Sequence, residues 1–300
     1  MSISTGTVAA SAGSFEFTSA LYVHKLVHNT AQFTAQPYAF DQQGNWYRLL
    51  HIEGVPVSIK VTPLGMTLWA SPGIVKDADV RRCVGQLFSL IPLPQEAVAH
   101  LPARLAQRFL DRAPLVHIAS PTLGEALIKG IIRQVISATQ ARKVLHQFVT
   151  RLGASYQREN LTFYNFPSLE SIIQLPLEEL SACGLGFKAK IVQYVAHRLL
   201  EENIEDQVRQ CSSSDAILLL QRLKWIGNWT ARIAVCDLLH DYSQYPFSDL
   251  AVRKWAKSLW QEGNWPDDES AFGHAWKQIN GEHTDLITFY LLAPGKQLNI

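Results

Sequence analysis

Two short segments near the end of the chain combine residue types that could do chemistry. Leu223-Lys-Trp-Ile-Gly-Asn-Trp-Thr-Ala231 reads as a tight turn entering a helix. Eighteen residues past Ala231, within Ser248-Asp249-Leu-Ala-Val-Arg253, a carboxylate stands at the mouth of another helix. In the first segment Gly227 sits where the chain reverses, and Asn228 is a residue type that starts helices. The amides of Trp229, Thr230 and Ala231 would then carry the positive end of the helix dipole and could bind a phosphate without any lysine. Lys224 adds a point charge beside them. Asp249 is, on spacing alone, a good N-cap. Capping and catalysis are compatible, because a helix N-terminus favours a charged carboxylate, the form that can face a developing cation. An ordinary helix–turn–helix in a bundle would also account for the nine residues of the turn.

The elements that must position these segments fall into two stretches. In the first, Val55–Val61 alternates apolar and polar residues and follows Trp46–Ile52 across Glu53-Gly54, which predicts a hairpin. Met66–Ala70 predicts a further strand, and helical stretches are expected near 76–90 and 95–111. Ala113-Pro114 and Ser120-Pro121 mark a boundary region. From residue 122 the pattern reads as helical throughout. Leu123, Leu127, Ile131 and Val135 define one face, Val144 to Leu152 make the next stripe, and Gly153 is its C-cap. Phe187, Ile191, Val195 and Leu199 mark a longer helix, and Ser214-Asp215 is expected to cap the helix before the turn. The fold class is therefore α+β, with an N-terminal mixed α/β domain containing an antiparallel sheet over 1–115. An all-helical domain over 116–300 follows.

Composition narrows the function classes. The chain has 300 residues, 47% of them hydrophobic, enough for two cores. No apolar run reaches the roughly 18 residues of a membrane span, so no membrane association is expected. The first residues lack the basic leader and apolar stretch of a signal peptide. Cys83, Cys183, Cys211 and Cys236 lie far apart, with no CxxC pair for zinc or an iron–sulfur cluster, so no metal or other cofactor is expected. Reduced cysteines in a cytosolic setting are the expectation. The net charge of +1 means that any nucleic-acid face must be a local patch.

Leu223–Ala231 resembles the Leu-Pro-Gly-Ile-Gly-Arg-Trp-Thr-Ala hairpin of bacterial inducible 3-methyladenine DNA glycosylases, in the helix-hairpin-helix superfamily. In that family the catalytic aspartate lies twenty residues beyond the hairpin tryptophan, and Trp229 to Asp249 is also twenty. Leu127–Ser137 resembles the family's Leu-Val-Arg-Ala-Ile-Leu-Gly-Gln-Leu-Val-Ser segment, and Gly184-Leu-Gly-Phe-Lys-Ala-Lys190 looks especially like the 8-oxoguanine branch. The resemblance implies that Asp249 is the catalytic carboxylate, that Trp229 lines the base pocket, and that Gln134-Val135 wedges into the duplex gap. It also implies DNA contacts from Lys224, Trp225, Gly227, Asn228, Trp229 and Thr230. Where relatives that also nick DNA carry a lysine, this chain has Trp229, which cannot form a Schiff base. The expected function is monofunctional excision of damaged purines, alkylated ones first. Two alternatives are excision of oxidised or deaminated purines, and lesion binding without turnover.

The expected partner is double-stranded DNA carrying a damaged base, bound by a monomer in the bacterial cytoplasm and nucleoid or in a eukaryotic nucleus. No metal is needed for the chemistry, although hairpin carbonyls could hold a monovalent ion. The departures from the family pattern concern the turn and the pocket. Lys224 and Trp225 replace the hairpin's Pro and first Gly, which puts a Cβ where the turn prefers none. Ile233 replaces a stacking tyrosine, which Trp225, Phe247, Phe15 or Phe17 could make good. With aromatic faces as the main attraction, cationic 3-methyladenine or 7-methylguanine is expected to leave faster than neutral 8-oxoguanine. Val135 carries a second reading as a core residue of its stripe.

Overall fold

The computed structural model describes residues 37–40, 43, 45–52, 55–62, 65–69, 79, 83, 87–158 and 161–292. Phe15 and Phe17 lie outside them. The chain first builds an antiparallel sheet in the order β1 (Tyr38–Phe40), β2 (Trp46–Ile52), β3 (Val55–Thr62), β4 (Gly65–Trp69). The expected hairpin is present, with Ile52 opposite Val55 and Trp46 opposite Val61. The alternation breaks down in β2, where Trp46 to Leu50 are all buried. Alternate residues of a strand face opposite sides, and here both sides are covered. Trp46 meets Phe88 edge-on at 5.0 Å, while Tyr47 meets Phe163 at 6.3 Å. Arg48 pairs with Glu125 at 2.5 Å, each only 2% exposed, tying the sheet to the helices.

β5 (Phe88–Ile91) and β6 (Leu115–Ile118) pair antiparallel across α1 (Gln95–Val98) and α2 (Ala103–Leu110). Two expected helices are thereby corrected. The stretch near 76–90 has Asp79, Cys83 and Leu87 helical but gives way to strand at Phe88. The stretch 95–111 is broken after Val98, and Pro102 caps its second half. Proline suits such a boundary because its missing N–H would go unpaired there anyway.

Beyond residue 122 lie α3 (Leu123–Arg133), α4 (Ala138–Leu152), and a hairpin of β7 (Ser155–Arg158) and β8 (Leu161–Tyr164). This hairpin overturns the expectation of helix throughout. Gly153 opens it as expected of a C-cap; a Cβ there would fall 2.1 Å from the Asn165 carbonyl oxygen, so only glycine allows the approach. Then come α5 (Leu169–Gln174), α6 (Leu177–Leu180), α7 (Lys188–Glu201), α8 (Ile204–Gln210) and α9 (Ser213–Leu220). Ser212, not Ser214-Asp215, caps α9 by accepting from the Asp215 amide. The last four helices are α10 (Asn228–Leu239), α11 (Leu250–Leu259), α12 (Glu269–Asn280) and α13 (Thr284–Leu292). Among the described residues no helix is long and apolar enough to cross a membrane.

Two hydrophobic clusters share α10. Ala234 and Val235 join Leu127, Ile131, Phe148 and Val195 in the first. Ile233 and Cys236 join Trp260, Trp276, Phe109 and Leu115 in the second. Buried on both sides, α10 holds its N-terminal residues in a fixed place at the junction of the two clusters.

Candidate functional site

The turn before α10 is built differently from the sequence expectation. Gly227 has φ −82° and ψ 175°, extended backbone open to any residue, and is the N-cap. The left-handed residue is Trp225, at φ 68°, so the missing Cβ is wanted there, as the comparison of motifs anticipated. Trp225 holds this conformation while its ring meets Tyr194 of α7 edge-on at 5.5 Å and lies under the Lys224 ammonium at 4.4 Å. Trp225 as a whole is 44% exposed. The Ala231 amide already bonds the Gly227 carbonyl at 3.0 Å. The donors left to the helix start are therefore those of Asn228, Trp229 and Thr230. The Asn228 side chain caps nothing and instead accepts from Arg232 at 3.1 Å.

Opposite this turn, α3 ends at Arg133 with Gln134 as its C-cap. Gln134 donates to the Trp225 carbonyl at 3.3 Å and to the buried Thr230 hydroxyl at 2.9 Å, binding the two loops together. Val135 turns the other way. At φ 60° and 93% exposed, it leaves the stripe of Leu123, Leu127 and Ile131, which removes its reading as a core residue. Lys188 at the start of α7 fixes this projection, donating to the Ile132 carbonyl at 2.8 Å and to that of Gln134 at 2.6 Å. Burial pushes the Lys188 ammonium below its usual range. Phe187 beside it is 66% exposed. It therefore does not share the buried face of Ile191, Val195 and Leu199, because it caps α7 directly after left-handed Gly186.

Asp249 caps α11, accepting from the Ala251 amide at 2.7 Å. Its other oxygen accepts from the Trp229 indole N–H. The hairpin tryptophan and the acid twenty residues later thus meet, both half-buried. Two residues absent from the sequence expectations complete the cluster. The Arg133 guanidinium lies 5.4 Å from the centre of the Trp229 ring. Tyr245, four residues before Asp249, is buried; burial pushes its hydroxyl above the usual range, Arg133 pulls it down and Asp249 adds to the rise. Nothing in the sequence brings Arg133 and Tyr245 to the pair of Trp229 and Asp249, since Arg133 comes from the end of a separate helix and Tyr245 from the loop before Asp249. Phe247 is half-buried against the second cluster, and Ile233 is buried within it. Among the described residues no group of three or more histidine, cysteine or acidic side chains is placed to hold a metal.

A turn offering helix-start amides, a loop tip beside it and an acid bonded to the turn's tryptophan together make a recognisable arrangement. Residues 128–280 match the profile of the HhH-GPD superfamily of base excision DNA repair proteins. The chain belongs to this family. Known proteins resemble it over different lengths. The DNA-3-methyladenine glycosylase of Bacillus subtilis is 26% identical over 178 residues, 58% of this chain but only 57% of that protein. A probable N-glycosylase/DNA lyase of Methanothermobacter thermautotrophicus is 23% identical over 86% of this chain and 88% of its own. The solved 3-methyladenine DNA glycosylase from Archaeoglobus fulgidus superposes with TM-score 0.68 at 25% identity, covering 91% of this chain and 93% of its own. A Clostridium acetobutylicum 8-oxoguanine glycosylase/lyase shares the fold with TM-score 0.64 at 15% identity, over 85% of this chain and 87% of its own.

Proposed function

We propose that this protein is a monofunctional DNA glycosylase that hydrolyses the N-glycosidic bond of a damaged purine, of the alkylated class, in duplex DNA. The observation that carries the reading is the Trp229 indole N–H bonded to the Asp249 carboxylate. It puts a flat aromatic platform and an oriented acid at one spot. The names of the Bacillus and Archaeoglobus relatives support the alkylated class.

In this reading the target nucleotide leaves the stack at a cost of a few kcal/mol, least for a damaged base. Val135, exposed on a loop pinned by Gln134 and Lys188, fills the vacated space as an apolar wedge. The amides of Asn228, Trp229 and Thr230 receive a backbone phosphate at the positive end of α10. The flipped base stacks at Trp229. As the bond to the base lengthens, Asp249 faces the oxocarbenium-like sugar and orients the water that adds to it. Trp229 offers no amine, so the product is an intact abasic site.

A released-base assay on duplexes containing methylated or etheno-alkylated purines tests the proposal. Alkylated purines should be released by the wild-type chain and not by Asp249→Asn, with no borohydride-trapped protein–DNA adduct. Full release by Asp249→Asn would return that residue to a purely capping role. Efficient trapping would make the protein a lyase.

A further inference from the structure

Trp229 already has a cation of its own. The Arg133 guanidinium sits 5.4 Å from the ring centre, inside the range at which a cation is held by an aromatic face. Its half-buried setting screens it less than bulk water would. Arg133 is the last residue of α3, and Gln134 immediately after it is fixed by hydrogen bonds to the turn and to Lys188. The arginine is therefore delivered to the tryptophan by a rigid helix end and not by a mobile loop.

The electrostatic consequence runs against the preference that aromatic content alone suggests. An indole face attracts a positively charged base because of its negative quadrupole. Here that attraction is taken up within the protein. A cationic base stacked at Trp229 would have to displace Arg133 or lie near a like charge. A neutral base meets no such opposition. If it carries ring nitrogens or a carbonyl oxygen as acceptors, it gains donors from the guanidinium, which presents five N–H groups in a planar fork. The leaving-group chemistry points the same way. When the bond between the sugar carbon and the base nitrogen breaks, its electron pair goes to the base. A cationic base leaves neutral and needs little help. A neutral base leaves as an anion, and a fixed cation stabilises that charge as it develops. The water oxygen then bonds the sugar carbon; the proton it releases ends on the departed base where that base left as an anion, and in solvent where it left neutral.

Resting on the glycosylase reading above, we propose that Arg133 is the specificity-determining residue of this site. It selects neutral damaged purines with exposed acceptor atoms, such as etheno-adducts and hypoxanthine, over cationic ones such as 7-methylguanine.

The test is single-turnover base release by the full chain from otherwise identical duplexes carrying ethenoadenine, hypoxanthine or 7-methylguanine. Each rate is divided by the spontaneous rate for that base. The wild type should accelerate the neutral bases more. Arg133→Gln should slow neutral-base release by about tenfold or more, equivalent to 1.36 kcal/mol on the barrier, and speed release of 7-methylguanine, so that the order inverts. Arg133→Lys keeps the charge but loses the fork; it should still disfavour 7-methylguanine while losing part of the neutral-base rate. If Arg133→Gln does not fold, as read by a thermal melt, the lysine variant carries the test. A wild type that accelerates 7-methylguanine most, or variants that lower every rate by the same factor, would overturn the proposal and leave the glycosylase reading intact. Silence on all three bases would overturn the glycosylase reading, and this proposal with it.

Discussion

Helices α3 and α10 meet at both ends, and the two junctions treat charge differently. Where the start of α3 meets the end of α10, Lys129 donates to Asp237 and to Ser120, each at 2.8 Å, and His117 lies 3.3 Å from the other Asp237 oxygen. Glu125, one turn earlier, is held by Arg48 of β2. Ser120 donates to Asp237 as well. Every charge there has a partner of opposite sign within the protein. Where the end of α3 meets the start of α10, the charges are left with capacity to spare. Arg133 has an aromatic face and the Tyr245 hydroxyl, and Asp249 has an indole and an amide; both side chains remain half-open to solvent. The closed junction fixes the pair of helices so that the open one can be preorganised, which is the division of labour expected between a scaffold and a site.

The largest expected effect on stability lies at the closed junction. Lys129→Met leaves Asp237 mostly buried without its principal cation and should cost about 3 kcal/mol of stability, the low end for stripping one partner from a buried pair. Base release per folded molecule should stay near wild type. The same junction sets an acid limit. Burial pushes the Asp237 carboxyl up, but Lys129 and His117 more than offset this and hold it well below the usual carboxylate range. Its folded value is thus below its unfolded one. The stabilisation is present above about pH 4 and is lost as pH falls further. Urea titrations of wild type and Lys129→Met at neutral pH and near pH 3 should converge. A constant gap between them would show that the pair contributes packing only.

Asp249→Asn should give the opposite pattern. Asparagine caps a helix about as well as aspartate, so the melting temperature should barely move. Loss of the carboxylate opposite a developing cation should lower release by about 10² to 10³. Together with Lys129→Met this forms a crossed pair, one variant unstable but active and the other stable but inactive. Asp249→Asn losing stability and activity together would erase the distinction between the junctions.

The closed junction was invisible in the sequence, and the open one only half visible. The turn and the cap at Asp249 are local features, and local features can be read; the twenty residues from Trp229 to Asp249 carried meaning only through the resemblance to a known family. The β2–β3 hairpin could be read too, because the seven alternating residues Val55–Val61 and the Glu53-Gly54 turn before them outweigh the noise of composition. The four-residue strands β5 to β8 are too short to show a period and depend on partners from elsewhere in the chain. Lys129 and Arg133 lie four residues apart on one helix and look alike in sequence. Only the packing of α10 gives one a buried acid and the other an aromatic ring. Lys188 is harder still, since a lysine 4% exposed is expected only where carbonyls are waiting for it.

Val135→Gly tests the open junction on its DNA side with a smaller effect. The side chain is exposed and supports nothing in the protein, so stability should not fall, and glycine suits φ 60° better than valine does. Affinity for lesion-bearing duplex should drop, roughly tenfold for a lost apolar wedge of this size, while affinity for the same lesion in single strands holds. Equal losses on both substrates would mean that Val135 touches the base and not the gap.

The smallest effect belongs to Trp225, where two opposed quantities can be separated. Its left-handed backbone costs on the order of 1–2 kcal/mol for a residue with a Cβ. Its ring returns part of this through Tyr194 and Lys224, each interaction worth roughly 0.5–1.5 kcal/mol. Trp225→Gly removes strain and ring contacts together and should change stability by less than about 1 kcal/mol. Trp225→Ala removes the contacts and keeps the strain, so it should fall below the glycine variant by about 1 kcal/mol. That difference, read from paired denaturation curves, isolates the backbone contribution from the side chain. If alanine and glycine are equally stable, the turn relaxes when the ring is gone, and the indole packed on α7 is what holds the backbone left-handed.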